Sequence, residues 1–331
     1  MKKNKTAEVF LVLLILIVMS AGILILQKGM EKLQNVKQES VYVPETRDLY
    51  NNYGLKNDQS LSKTKILETQ DQVIYTDRIF NINQISEDRI SYAADIMKAL
   101  QKKSGKDTYI MPIPQRAVFE SGYETEKGKY SDFIEKLEAS FSDPSVVLNP
   151  LSELEKHQDE YIYFRTGNSW TMRGAFYGAQ VIFGELGYDQ ENLDGYREYV
   201  FGNFKGNLFR EVSKKYSTDE IKKDIKNMER EPFYIYINGS NPNREEFTFE
   251  NKEGQLQTLK RQTIQFNGSG NYAVIGSSYK HSIVEGRGKG QRKGNLLLIA
   301  DTRGKMMISY LSAFRILKQK PSFIFQTDYR F

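Results

Sequence analysis

The chain has 331 residues, of which 39% are hydrophobic and 27% are charged, with a net charge of +5 at pH 7. This size allows one well-formed hydrophobic core and a small second one. The sequence contains no cysteine, which excludes disulfides, thiol nucleophiles and thiolate metal sites, and two histidines, His157 and His281, are too few for a histidine-rich metal centre.

The N-terminal segment predicts a membrane anchor. Three lysines within the first five residues precede 9–26, a run of eighteen residues without a charge. As a helix this run spans about 27 Å, close to the ~30 Å of a bilayer's hydrocarbon core. The basic flank favours an N-inside orientation, which places the remaining chain outside the cytoplasm. A cleaved signal peptide is the alternative, but the run exceeds the usual ~7–15 residues and no Ala-x-Ala site follows it.

The rest of the chain divides into a polar stalk and an α/β domain. We predict a cytoplasmic tail and signal anchor over 1–28, a juxtamembrane stalk over 29–66 and the domain over 67–331. In chain order, strands are expected at 72–76, 107–112, 144–148 and 161–164, and helices at 86–103, 130–141, 151–157 and 172–186. Such alternation predicts a largely parallel sheet flanked by helices.

Beyond this alternating region, the pattern changes twice. Strands predicted at 233–237, 246–250 and 256–264 indicate a β-rich insertion over about 205–270. The continuous apolar run 295–300 then predicts a central parallel strand buried on both faces. A helix over 305–314 and a last strand over 322–325 complete the predicted domain.

The segment 165–180, RTGNSWTMRGAFYGAQ, follows a predicted strand and leads into a helix. In open α/β sheets, ligands gather at such carboxyl ends of strands. The segment resembles the signature of the DHHW family of bacterial extracytoplasmic proteins, which is similar to the SGNH-hydrolase-like accessory proteins of alginate O-acetylation. The family pattern is aromatic-x-Thr-Asp-His-His-Trp-Thr followed by Gly-Ala-Tyr-Tyr. The matching residues here are Thr166, Trp170, Thr171, Gly174, Ala175, Phe176 and Tyr177.

A second part of the resemblance lies near the C-terminus, in LLLIADTRGKMMISYLSAF and FIFQTDYRF. Together the two parts imply an SGNH-hydrolase-like, flavodoxin-like α/β fold from about residue 70 onward. In the family, a serine after an aspartate is the nucleophile, on a strand-to-helix turn where backbone N–H groups stabilise an oxyanion. An aspartate and a histidine of the first motif orient and activate it.

The residues of this chain depart from that catalytic pattern. Thr302 stands at the nucleophile position, Gly167 replaces the orienting aspartate, and Asn168 and Ser169 replace the two histidines. A hydroxyl without a neighbouring base is weakly reactive. The resemblance therefore implies a degenerate and non-catalytic site. His281 reaches that site only if its loop folds back.

Each remaining candidate residue has a structural alternative. Gly167 and Asn168 form either a ligand site or a plain turn. Trp170 either stacks on a sugar ring or fills the core beneath the helix. Asp301 serves as a helix cap or as a ligand and acid–base group. Arg303 either contacts an anionic group or is solvated.

Other motifs limit cofactors and partners. The segment 280–293 carries five Lys/Arg and one Glu, and it either contacts anionic envelope polymers or lipid headgroups or is simply solvated. No P-loop, dinucleotide or metal motif occurs, so no cofactor and no metal are expected. An extracytoplasmic location disfavours nucleic acid.

Three functions follow from these features. The first is a membrane-anchored pseudoenzyme that assists a membrane-bound O-acyltransferase on a surface polysaccharide, by binding the glycan or by scaffolding. The second is a residual O-acetyltransferase or esterase that uses Thr302. The third is an envelope adaptor whose cleft is filled by side chains such as Arg165 or Arg303. Whether the chain is an enzyme stays open, and the substitutions favour the first function.

Overall fold

The computed structural model describes residues 61–85, 87–188, 192–216, 219–238, 244–250, 256–262, 296–311 and 322–325. All of them belong to the larger of two compact units of the chain, Glu45–Phe331. Within these ranges no helix is both long and apolar enough to cross a bilayer. The predicted anchor at 1–28, most of the predicted stalk, His281 and the basic segment 280–293 lie outside the described residues.

Helices and strands of mixed order make this an α/β protein. The described helices are α1 (Glu87–Ser104), α2 (Glu124–Glu138), α3 (Leu151–Glu155), α4 (Met172–Glu185), α5 (Asn207–Lys215), α6 (Asp219–Asn227), α7 (Thr302–Lys305) and α8 (Ile308–Leu311). The described strands are β1 (Lys65–Glu68), β2 (Gln72–Tyr75), β3 (Ile79–Asn81), β4 (Thr108–Ile110), β5 (Tyr196–Phe204), β6 (Glu231–Asn238), β7 (Arg244–Glu250), β8 (Leu256–Gln262), β9 (Leu296–Ile299) and β10 (Ser322–Phe325).

The strands form four small sheets in the described part of the chain. A parallel sheet has the order β4–β10–β9, so the C-terminal strand β10 pairs with the early strand β4. An antiparallel meander joins β1, β2 and β3. Two antiparallel pairs, β5–β6 and β7–β8, make up the rest. A parallel α/β sheet is therefore present, but antiparallel pairs accompany it.

Two predicted strands take other forms. Residues 144–148 begin as a short 3₁₀ helix, Pro144–Val146, because Asp143 caps it and Pro144 fixes the first backbone angle. Only an isolated parallel bridge joins Val147 to Ile110. Residues 161–164 form no sheet strand either, and a single bridge joins Tyr163 to Trp170.

Two further predictions are corrected. The strand β9 is not central and buried on both faces: it lies at the edge of its sheet among the described strands, and the alternate side chains Leu297 and Ile299 are exposed. The insertion predicted as β-rich over 205–270 begins with two helices, α5 and α6, before β6, β7 and β8 follow. Both helices are amphipathic, and Leu208, Val212 and Ile225 are buried.

Candidate functional site

The signature segment is a narrow hairpin that closes on itself. The Phe164 amide donates to the Ser169 carbonyl at 3.1 Å, and the Thr171 amide donates to the Ile162 carbonyl at 2.8 Å. Helix α4 starts directly after it, with the Thr171 hydroxyl capping the Gly174 amide. The hairpin tip therefore consists of Arg165 to Ser169. It includes Gly167, Asn168 and Ser169, the three positions where the family resemblance expects polar catalytic groups.

A buried carboxylate from β6 holds one arm of this hairpin. Glu231 accepts hydrogen bonds from the Tyr161 hydroxyl at 2.5 Å, from the Arg165 amide at 2.5 Å and from the Thr166 amide at 2.7 Å. It also accepts one from the Thr166 hydroxyl. Burial raises the pKa of the Glu231 carboxyl, and the donated hydrogen bonds act in the opposite direction.

The start of helix α5 packs closely against the hairpin tip. The Gly206 amide donates to the Thr166 hydroxyl at 2.7 Å, and the Asn168 amide donates to the Asn207 side-chain oxygen at 3.1 Å. A Cβ atom on Gly206 would lie 2.3 Å from the Thr166 carbonyl oxygen, so only glycine permits this approach. The backbone at Gly167 and Asn168 is thus fixed from two sides.

Trp170 lies in the hydrophobic core and not on a ligand surface. Its side chain is 0% exposed, and its indole N–H donates to the Arg303 carbonyl at 3.0 Å. The ring packs against Gly178 of α4, where an added Cβ would lie 2.5 Å from it. The prediction that Trp170 contacts ligand is therefore corrected, and its core alternative fits.

The C-terminal motif, which contains α7, contacts the hairpin in two places. The Trp170 indole bonds to the Arg303 carbonyl, and Met306 lies against Ser169. The Ser169 side chain is 3% exposed, and its hydroxyl lies 3.5 Å from the Met306 sulfur. Asp301 caps α7 by accepting from the Arg303 and Gly304 amides at 2.9 and 3.0 Å. The capping alternative for Asp301 therefore fits, and Arg303, at 4% exposed, is not solvated.

The two motifs come together as the resemblance implied. Thr302 begins α7, immediately after the Asp301 cap, while its side chain lies outside what the structure describes. His157 is engaged elsewhere: its Nδ1 lies 2.7 Å from Glu160, and its ring stacks on Tyr177 with centroids 3.6 Å apart. The described residues contain no cluster of three or more metal-ligating side chains.

The Glu160 carboxylate joins this histidine to α4. Arg173 and the Tyr177 hydroxyl both donate to it, and Arg173 also approaches Glu198 at 3.5 Å. Burial alone would raise the pKa of Glu160, but the hydrogen bonds from Arg173 and His157 outweigh it and lower that pKa. This cluster braces the segment that leads into the hairpin.

A pocket opens beside the hairpin tip. Gly167, Asn168 and Arg303 contribute to its lining, together with residues from the meander and from the turn after β4. The space inside it is small, about 10 Å³, which is room for about one water molecule. The other lining residues are Phe80, Asn81, Gln115, Arg116 and Leu208.

Sequence reasoning missed Arg116, which is 7% exposed. Its Nε donates to Glu120 at 2.6 Å and a terminal N–H donates to the Tyr163 carbonyl at 3.2 Å. The other oxygen of Glu120 accepts from Arg78 at 2.9 Å. The spacing of Arg116 and Glu120 by four residues was visible, but nothing in the sequence indicated that both would be buried.

A known protein family and several solved structures are similar to this chain. The family described as DHHW protein matches residues 145–251, a range that contains the hairpin, α4 and β6, and this match confirms the resemblance stated from the sequence. No curated protein matches the chain.

Solved structures share the fold. A DHHW family protein from Eubacterium siraeum is 18% identical, with a TM-score of 0.60 over 80% of this chain and 94% of that one. Bacillus cereus PatB1 is 13% identical, with a TM-score of 0.51 over 80% of this chain and 96% of that one. A second PatB1 structure, which carries a sulfonyl adduct, is 14% identical and has a TM-score of 0.54 over 80% of this chain and 94% of that one.

Proposed function

We propose that this protein is a non-catalytic, SGNH-hydrolase-like relative of the DHHW proteins that assists O-acylation of a surface polysaccharide. Its partners would be the polysaccharide itself and a membrane-bound O-acyltransferase, with the segment 1–28 holding the domain at the outer face of the membrane. The family match over 145–251 and the resemblance to the accessory proteins of alginate O-acetylation support this assignment.

The packing of Ser169 carries the non-catalytic part of the proposal. The resemblance places a catalytic histidine at this position or at Asn168, but Ser169 is buried against Met306 and an imidazole there would require the methionine to move. None of the described residues that line the adjacent pocket is a histidine or a carboxylic acid. Asp301, the carboxylate next to position 302, accepts from the Arg303 and Gly304 amides and from the Arg303 side chain, and this capping role supports the proposal.

The competing function is a residual acetyltransferase or esterase that uses Thr302. This function requires a reactive hydroxyl at residue 302. The full-length protein in detergent can therefore be tested for that reactivity. Wild type and Thr302→Ala would be compared for hydrolysis of an activated acetyl ester and for covalent labelling by a sulfonyl fluoride, detected by mass spectrometry. The PatB1 structure with a sulfonyl adduct makes this class of probe a suitable choice.

We expect equal, background rates for both proteins and no label on residue 302. A Thr302→Ser variant serves as the matched control, because it keeps a hydroxyl at position 302 and makes that hydroxyl less hindered. Hydrolysis by wild type that disappears in Thr302→Ala, or a sulfonyl group on Thr302, would contradict the non-catalytic assignment. Binding of purified polysaccharide by an inert protein would distinguish the glycan-binding role from a plain adaptor.

A further inference from the structure

We propose that the solvent face of helices α5 and α6, which we call the basic surface, binds an acidic polysaccharide. The segment 205–230 carries eight Lys/Arg and five Asp/Glu, a net charge of +3 in a chain whose total is +5. Seven exposed cations form the basic surface: Arg210, Lys214, Lys215, Lys222, Lys223, Lys226 and Arg230. The inference rests on the proposed function only in taking the ligand to be a polysaccharide, and it adds that this polysaccharide is negatively charged.

The two helices direct their charged faces outward because both pack on the same apolar cluster. Their buried side chains join those of the meander in one cluster that contains Leu208, Val212, Ile225, Ile74 and Ile79. The opposite face of each helix is therefore exposed to solvent. Each helix has nine residues and is about 14 Å long, so the cations are spread over a greater distance than a single small anion can cover.

Most cations of the basic surface have no carboxylate within ion-pair distance. Among the described residues, the seven cations form a single ion pair, between Lys215 and Asp71 at 3.9 Å. The exposed acids of the same segment, Glu211, Asp224 and Glu229, form none with them in the described structure. Cations grouped on one face in this way attract an anion and raise its local concentration.

Like charges also lie next to each other on this surface. Arg210 and Lys214 are four residues apart on α5, and Lys222 and Lys226 are four residues apart on α6. Such pairs destabilise a helix because neighbouring like charges repel each other. An anionic polymer that lies along the helices removes this repulsion, so the arrangement favours a ligand with several negative charges.

Lys205 adds an ordered ammonium group at the margin of the basic surface. Its Nζ donates to the Lys226 carbonyl at 3.2 Å and lies 4.1 Å from the centre of the Phe209 ring. Burial lowers the pKa of Lys205, and the positive charge of Arg230 lowers it further. These two cations therefore repel each other, and a bound carboxylate would relieve that repulsion.

The hydrophilic character of the basic surface narrows the class of polyanion. Among the described residues, the exposed large apolar side chains are Tyr92, Leu297 and Ile299, and all three lie outside 205–230. Helices that bind a membrane surface bury an apolar face in the lipid, and proteins that bind single-stranded nucleic acid stack its bases on aromatic side chains. A hydrophilic polymer with carboxylates on successive sugars needs neither feature, and it matches the distributed cations.

The competing explanation is that the cations only keep the two helices soluble. Two triple variants separate the explanations, because each removes three exposed lysines from one helix and changes the net charge equally. The α6 variant is Lys222→Gln, Lys223→Gln and Lys226→Gln, and the α1 control is Lys98→Gln, Lys102→Gln and Lys103→Gln. Exposed substitutions of this kind change stability little, and urea denaturation verifies that both variants are folded.

Fluorescence anisotropy of labelled polygalacturonate, with the full-length protein in neutral detergent at low ionic strength, provides the test. We expect saturable binding that weakens as sodium chloride is added, because salt screens exposed charges. The α6 variant should bind about tenfold or more weakly, and the α1 control should stay within about twofold of wild type. No binding by wild type, or equal losses in the two variants, would overturn the proposal.

Competitors establish what the basic surface recognises. Methyl-esterified polygalacturonate has the same sugars without the charges, and equal binding of this neutral polymer would overturn the inference while leaving the proposed polysaccharide function in place. Polyglutamate, double-stranded DNA or phosphatidylglycerol micelles would overturn it by displacing the labelled polymer at a lower anion concentration than unlabelled polygalacturonate. A sulfonyl label on Thr302 would contradict the proposed non-catalytic function and leave this binding measurement unaffected.

Discussion

At the level of single residues, two glycines decide how helix α4 meets the hairpin. A Cβ on Gly174 would lie 2.3 Å from the Ile162 carbonyl oxygen, and a Cβ on Gly178 would lie 2.5 Å from the Trp170 ring. The two positions are four residues apart, so they share one face of the helix. That face is flat enough to receive both the hairpin backbone and the indole.

The first prediction concerns Gly178→Ala. Overpacking against the indole should cost about 1–3 kcal/mol, only partly offset by the gain of up to about 1 kcal/mol in helix propensity. Gly184→Ala is the control in the same helix, where an added Cβ meets nothing within 4 Å. Urea denaturation should show a loss of stability for Gly178→Ala and a small gain for Gly184→Ala. Equal shifts would mean that the indole does not restrict this face.

Local sequence patterns indicate some of these residue contacts and not others. The helix cap at Asp301 and the core alternative for Trp170 could be proposed from local patterns, because capping and burial of a lone aromatic depend on neighbouring residues. The role of Glu231 could not be proposed from local sequence patterns. Its partner Thr166 is 65 residues away, and a lone glutamate at the start of a strand carries no signal of burial.

At the level of elements, the hairpin depends on β6. Four hydrogen bonds converge on the Glu231 carboxylate, so a single side chain links the strand to both Tyr161 and the 165–166 backbone. An amide in its place would present N–H groups to donors. Such unsatisfied buried donors cost about 1–3 kcal/mol each.

The second prediction follows from the raised pKa of Glu231. A carboxyl with a folded pKa above its unfolded value contributes stability that is fully present below the unfolded pKa and is lost as pH rises through the folded pKa. The free energy of unfolding of wild type should therefore exceed that of Glu231→Gln by the largest amount near pH 4. This difference should become smaller as the pH rises towards neutrality. Urea denaturation at several pH values measures this. A difference that widens with pH would indicate a lowered pKa instead.

Glu160 leads to the opposite expectation, which forms the third prediction. Its pKa is lowered by Arg173 and His157 despite its partial burial, so its contribution is present above the unfolded pKa and is lost as pH falls through the folded pKa. The stability difference between wild type and Glu160→Gln should be largest near pH 7 and should shrink on acidification. The same denaturation series checks it, and a pH-independent difference would contradict the ionic role of the cluster.

At the level of the whole molecule, periodicity identified most helices, the strands β2 and β4, and the three strands β6, β7 and β8 of the predicted insertion. It failed where a local feature competed with it. Residues 144–148 are apolar, but Asp143 and Pro144 start a 3₁₀ turn. Residues 161–164 are buried like a sheet strand, yet they bond to their own return segment at 169–171. The edge position of β9 depends on which strands pair, and no single-segment pattern specifies that.

The fourth prediction concerns the N-terminal segment, which lies outside the described residues. If 1–28 is an uncleaved anchor, the full-length protein should sediment with membranes and resist extraction by high salt, because about 18 apolar residues suffice to span a bilayer. Its C-terminus should be accessible to protease from the outer face. A chain that lacks 1–28 is the control and should stay in the soluble fraction. A mature N-terminus near residue 22 would instead indicate cleavage.

The burial of the single tryptophan has an experimental consequence. Trp170 is the only indole in the chain, it is screened from water, and its N–H is held by the Arg303 carbonyl. Its ultraviolet emission should therefore be blue-shifted and insensitive to iodide quenching while the hairpin and α7 are in contact. If these two segments separate while the rest of the chain stays folded, the emission of Trp170 should shift to the red. The protein thus carries an intrinsic optical probe at the junction of its two motifs.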